Sequence, residues 1–175
     1  RHRENVRTLI LMNPIDLGAE YRDQEATRLR AATTAEDSTE LSNLRGSEGF
    51  GANDPGTLSQ LNRVLFRRLL RDRERISELS LDLAATTARN GEDVSRLVEL
   101  SMGEVDWWEK MLTVDVPTLV IHGRYDVVPS GVSRALVDAL PEGRLSVLNS
   151  GHFPYLEDPD GLQSALSGFF VELSR

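Results

Sequence analysis

Val116-Pro117-Thr118-Leu119-Val120-Ile121-His122-Gly123-Arg124-Tyr125-Asp126-Val127-Val128-Pro129 is the stretch on which the fold turns. Its middle, Thr118 to His122, is a short β-branched apolar run closed by glycine, the pattern of a strand covered on both faces. Pro129 sits where a helix can begin, and Val132, Leu136, Val137 and Leu140 follow at helical spacing until Pro141 stops them. Arg144-Leu145-Ser146-Val147-Leu148-Asn149 then reads as a further strand ended by a Ser150-Gly151 turn. Asp158-Pro159 opens a last helix with Leu162, Leu166, Phe169, Phe170 and Leu173 along one side. Strand, helix, strand, helix predicts an α/β fold with a parallel sheet and right-handed crossovers.

Toward the start of the chain, Val6-Arg7-Thr8-Leu9-Ile10-Leu11-Met12 is a third apolar run, closed by Asn13-Pro14, and reads as another buried strand. Between it and Asp115 the grammar is different, rich in Arg, Glu, Ala and Leu. Thr57 to Ser80 predicts one helix, with Leu58, Leu61, Val64, Leu65, Leu69 and Ile76 on its apolar side. The charges opposite, Arg67, Arg68, Arg71, Asp72, Arg73, Glu74 and Arg75, read as a solvated face. Arg45 to Gly56 is a Gly-rich break read as a mobile linker; no strand precedes it and no Lys-Ser/Thr ends it, so it is no phosphate loop. Glu92 to Leu112 predicts a last helical stretch, with the pair Trp107-Trp108 near its end. The division expected is a core strand in 1–14, a helical region in 15–115 and an α/β core in 116–175.

Composition narrows the functions. The 175 residues carry 20 Lys and Arg against 28 Asp and Glu, a formal net charge of -8 that repels phosphate backbones and argues against a nucleic-acid partner. Apolar runs are too short to span a bilayer, so no membrane partner is expected. With no cysteine, disulfides, thiolate nucleophiles and Cys-ligated zinc are excluded; three scattered histidines suggest no metal site, and no cofactor is implied. The chain opens on Arg1, not methionine, and no signal-peptide core follows, so the expectation is a cytoplasmic fragment or processed product.

In a parallel sheet, the loops leaving the carboxyl ends of neighbouring strands open on one edge, where ligands bind. Two such loops carry titratable groups: Gly123-Arg124-Tyr125-Asp126 and Ser150-Gly151-His152-Phe153. Paired strands lie about 4.8 Å apart, close enough for Asp126 to hydrogen-bond His152. The carboxylate would then fix the imidazole tautomer and leave the other ring nitrogen for a nucleophile. His122 lies within a strand and reads as a packed residue.

The Val116–Pro129 segment resembles the acid-bearing segment of the α/β-hydrolase superfamily. Ser150-Gly151-His152-Phe153-Pro154-Tyr155-Leu156-Glu157-Asp158-Pro159 is similar to that superfamily's histidine loop, and Arg3 to Pro14 to the strand after its nucleophile helix. The wording comes nearest to proline-iminopeptidase-like members. The resemblance implies a C-terminal part of a hydrolase fold with 15–115 as an inserted cap. It implies His152 as general base and Asp126 as its orienting acid in a serine hydrolase of small esters or amides, including aminopeptidase action. The superfamily's nucleophile sits in G-x-S-x-G between a strand and a helix. That motif is absent; Glu99-Leu100-Ser101-Met102-Gly103 lacks the first glycine and follows a helix. The nucleophile, oxyanion donors and remaining strands are therefore expected from an N-terminal segment or a second chain. Trp107, Trp108 and Glu104 are candidate substrate contacts in the cap, with Glu48 and Asp106 as further acidic candidates. The same fold also hosts an Asp nucleophile, as in dehalogenases and epoxide hydrolases, lyase or cyclase chemistry, and non-catalytic binding relatives.

Overall fold

A computed structural model describes residues 5–14, 21–102 and 107–174. They divide into two compact units. The first takes in residues 5–14, 21–30, 69–72 and 107–174; the second takes in 31–68 and 73–102.

The first unit is built on three parallel strands, β1 (Leu9–Met12), β2 (Thr118–Gly123) and β3 (Gly143–Leu148), in that spatial order. Leu9 pairs with Thr118 and Thr118 with Gly143, so the three carboxyl ends finish near one level. β2 is central and buried at every residue, as its unbroken apolar run requires. Side chains alternate across it. Leu119 and Ile121 face one side, where with Leu148 they meet Phe169 of α9 (Pro159–Leu173) and its neighbours Leu162, Ala165 and Leu166. His122 faces the other side and meets Ser133 of α7 (Ser130–Ala139). There Val128, Val132 and Leu136 form a second apolar cluster with Tyr21, Trp108 and Met111. Two short helices complete this unit, α6 (Trp107–Met111) and α8 (Pro154–Glu157).

One flank of the sheet stays open. Among the described residues β1 pairs with β2 alone. Ile10 and Met12, in register with the buried Leu119 and Ile121, remain 37% and 44% exposed. Apolar side chains beside an unpaired ladder make this edge a template for pairing with another strand.

The second unit is helical. It holds the last residues of α1 (Arg22–Ala32), then α2 (Ala35–Arg45), α3 (Glu48–Gly51), α4 (Pro55–Arg67), a 3-10 turn over Arg73–Glu78 and α5 (Ala85–Met102). Two expectations are corrected here. The Gly-rich break is ordered: the Ser47 hydroxyl accepts from Phe50 N–H to cap α3, and the Asp54 carboxylate accepts from Thr57 N–H to cap α4. The long helix ends at Arg67 rather than Ser80, because the backbone of residues 69–72 is drawn off into the first unit, as described below.

The arginines read as a solvated face also have structural partners. Asp37 is fully buried, and Arg67 Nε (2.6 Å) and Arg73 Nη2 (2.7 Å) close on its carboxylate. Thr34 N–H donates to the same group at 2.9 Å, making Thr34 and Asp37 a capping box for α2. Burial opposes the charge, but these donors hold the Asp37 carboxyl well below the usual carboxylate range. Removing one side of such a buried pair costs about 3–5 kcal/mol. Asp37→Asn should therefore lower the urea midpoint at neutral pH. A lowered folded-state value stabilises above the unfolded value of 3.8 and is lost as pH falls through the folded one. The gap between wild type and variant should narrow below about pH 4; a gap that widens in acid would contradict this assignment.

Candidate active site

The loops that follow β2 and β3 cross at the carboxyl edge of the sheet. Arg124 N–H donates to Leu148 O at 2.9 Å and Tyr125 N–H to Ser150 O at 2.9 Å, so the two backbones run in direct contact. Glycine is required at the crossing. A Cβ on Gly123 would collide with the Gly151 carbonyl and lie 2.7 Å from Ser150 O. A Cβ on Gly151 would lie 2.5 Å from Leu69 O.

This crossing brings Asp126 and His152 together. Asp126 is 3% exposed. Its Oδ1 accepts from Val128 N–H at 3.0 Å, and its Oδ2 lies 2.8 Å from His152 Nδ1. A carboxylate oxygen in that position makes Nδ1 the protonated nitrogen of a neutral ring and leaves Nε2 with its lone pair. Phe153, itself buried, stands edge-on to the imidazole at 5.4 Å between centroids. Burial disfavours the imidazolium, but the Asp126 hydrogen bond and charge, with a smaller contribution from Glu25, outweigh it and raise the His152 pKa above 6.5.

The main chain of the histidine loop is held from two sides. His152 N–H donates to Leu69 O at 2.9 Å, and Arg71 Nη1 donates to Asn149 O at 3.0 Å. Glu157 bridges, accepting from Gly151 N–H at 2.7 Å and from Asp72 N–H at 3.0 Å. The Leu69 carbonyl and Asp72 amide are thus committed to this loop, which is why the preceding helix cannot run on past Arg67. From the other side, the amide of Asn13 reaches both loops, with Oδ1 2.8 Å from Gly123 N and Nδ2 2.6 Å from His152 O. Neither Glu157 nor Asn13 was singled out by sequence; the His-x-x-x-x-Glu spacing was visible but carries no chemistry until the loop is folded.

The remaining candidates fall elsewhere. His122 is buried, its Nδ1 2.9 Å from Ser133 Oγ, and burial pushes its pKa down. Trp108 is half-buried against Val128, Val132 and Leu136. Glu104 and Asp106 lie outside the described residues, as does the side chain of Trp107. Glu48 is exposed at the start of α3. Ser101 sits within α5, its hydroxyl donating to Val98 O at 2.9 Å, and Ser150 Oγ is buried and donates to Gly151 O. No described helix is long and apolar enough to cross a membrane.

The two histidines should titrate on opposite sides of 6.5. In an NMR titration His152 is expected to lose its proton above that pH, and His122 to stay neutral until below it. His152 thereby stabilises the fold at low pH, an effect lost as pH rises through its raised value, while His122 protonation destabilises it in acid. The reverse order of titration would contradict the geometry.

Comparison with known proteins places this architecture. No family model matches the sequence. The chain is 27% identical over 127 residues to the AB hydrolase superfamily protein YisY of Bacillus subtilis (strain 168), covering 70% of this chain and 44% of that protein. Among solved structures it is similar to a thermophilic esterase from Thermogutta terrifontis (TM-score 0.59, 20% identity, 98% of this chain and 58% of that one). It is equally similar to the proline iminopeptidase of Mycobacterium smegmatis (TM-score 0.59, 19% identity, 97% and 58%). An α/β fold family hydrolase from Bacillus anthracis str. Sterne gives 0.57 at 18% identity, over 96% and 60%. The chain thus carries part of an α/β-hydrolase fold, spanning under half the length of the curated relative and about three-fifths of the solved ones.

Proposed function

We propose that this chain supplies the acid and base of a serine hydrolase acting on small esters or amides, including release of an N-terminal residue from a peptide. The observation that carries the reading is the 2.8 Å contact between His152 Nδ1 and Asp126 Oδ2 at the carboxyl edge of a parallel sheet. A scaffold has no physical need for a buried carboxylate aimed at a partly exposed imidazole; a proton relay does.

In the proposed reaction His152 Nε2 takes the proton of a serine hydroxyl as that oxygen attacks the substrate carbonyl, then returns it to the leaving alcohol or amine. Asp126 keeps the ring in the Nδ1–H tautomer and stabilises the imidazolium formed in between. Water repeats the sequence on the acyl-enzyme and releases the acid. The nucleophile lies outside this sequence, at the end of a strand that pairs with the open edge of β1, and the oxyanion donors come from the same segment. Two observations support that placement: the exposed Ile10 and Met12 beside the unpaired ladder, and relatives in which the matched part is only 44–60% of the chain. Residues 15–115 act as the cap that selects substrate, with Trp107, Trp108 and Glu104 among its contacts. The esterase and the iminopeptidase in the comparisons define the two substrate arms to test.

The full-length protein should react with a fluorophosphonate probe and turn over either p-nitrophenyl acetate or proline p-nitroanilide. His152→Ala should lower kcat by roughly 100-fold or more. Loss of less than about tenfold would remove His152 from the chemistry. Failure of the probe to label any residue would point instead to an Asp nucleophile or a non-catalytic relative.

A further inference from the structure

Asn13 follows β1 and is 5% exposed, and its φ of 45° lies in the left-handed region that Asn tolerates better than most residues. Its backbone makes the last rung of the ladder, Asn13 N–H donating to Ile121 O at 2.8 Å. The chain then turns away from β2, and the next rung is lost. Gly123 N–H, one rung further on, would be left buried without its strand partner; Asn13 Oδ1 fills that place at 2.8 Å. The same amide donates through Nδ2 to His152 O at 2.6 Å and to Gly151 O at 3.3 Å. One side chain therefore satisfies three backbone groups on the two loops that carry Asp126 and His152.

We propose that Asn13 is the positioning residue of the site: its amide fixes the spacing between the β2 and β3 loop ends and thereby the contact of His152 Nδ1 with Asp126 Oδ2. A carboxylate in its place keeps an acceptor for Gly123 but turns both donors into acceptors aimed at the carbonyls of Gly151 and His152. The histidine loop must then move outward, and the Nδ1 contact lengthens. The kinetic consequence rests on the proposed hydrolase reading; the structural consequence does not.

The test uses the full-length protein, with the downfield proton resonance of His152 Nδ1–H as the direct readout. Asn13→Asp, isosteric with the native residue, should abolish or broaden that resonance. Asn13→Ser, whose single hydroxyl cannot reach both loops, should do the same with less risk to folding. Phe169→Leu, in the α9 core and away from the loops, serves as a control of comparable instability and should keep the resonance. On a turned-over substrate the Asn13 variants should lose roughly tenfold to a hundredfold in kcat with KM little changed. Either Asn13 variant keeping the wild-type resonance, or Phe169→Leu losing it equally, would overturn the proposal. If wild type shows no turnover at all, the hydrolase reading fails while the resonance still decides the role of Asn13.

Discussion

The crossing of two loop backbones at Gly123 and Gly151 is the constraint from which the rest of this molecule follows. Parallel strands deliver their carboxyl ends to one edge, but only the missing Cβ of Gly123 lets the β3 loop lie against it, and only the missing Cβ of Gly151 lets the backbone of Leu69 to Arg71 close on that loop. Once they touch, the Asp126 carboxylate and the His152 imidazole have little freedom left. One oxygen of the acid is tied to Val128 N–H, the other meets Nδ1, and Phe153 closes one edge of the ring. Little rotational entropy is left to the ring, which is the kind of pre-organisation that the proposed proton transfer needs.

The same neighbourhood gives two histidines opposite characters. His122 points into a packed face beside Ser133, where an added proton would sit in apolar surroundings. His152 keeps a carboxylate in direct contact and a path to solvent. Burial pushes both down; what separates them is the partner, not the depth. A histidine within β2 and a histidine on the loop after β3 thus hold opposite protonation preferences in one sheet.

Much of this is legible in the sequence. Thr118 to His122 reads as a buried strand because it is a β-branched apolar run closed by glycine, and topology puts Asp126 and His152 on neighbouring loops within reach of each other. The helical region was harder. Leu69 continued the apolar stripe of the helix before it, so periodicity carried that helix past Arg67; the carbonyl of Leu69, spent on His152 N–H, is a tertiary fact with no local signature. The Gly-rich break hides its order for the opposite reason. Ser47 and the Asp54-Pro55 pair are ordinary capping signals set among glycines that by themselves favour a loop. Arg67 and Arg73 looked solvated because charge on a helix usually is, and only the fold reveals the buried Asp37 between them. Asn13 read as a strand terminator, since an amide that replaces a missing rung cannot be recognised until the rung is seen to be missing.

The account centres on a nucleophile that reaches His152 Nε2 from a strand beside β1. A crystal structure of the full-length protein after phosphonylation tests this most directly. The account predicts phosphorus on a serine oxygen within hydrogen-bond distance of Nε2, the serine following a strand paired with Leu9–Met12, and Asp126 still on Nδ1. A phosphonate bound elsewhere, or an imidazole turned away from both groups, would contradict it.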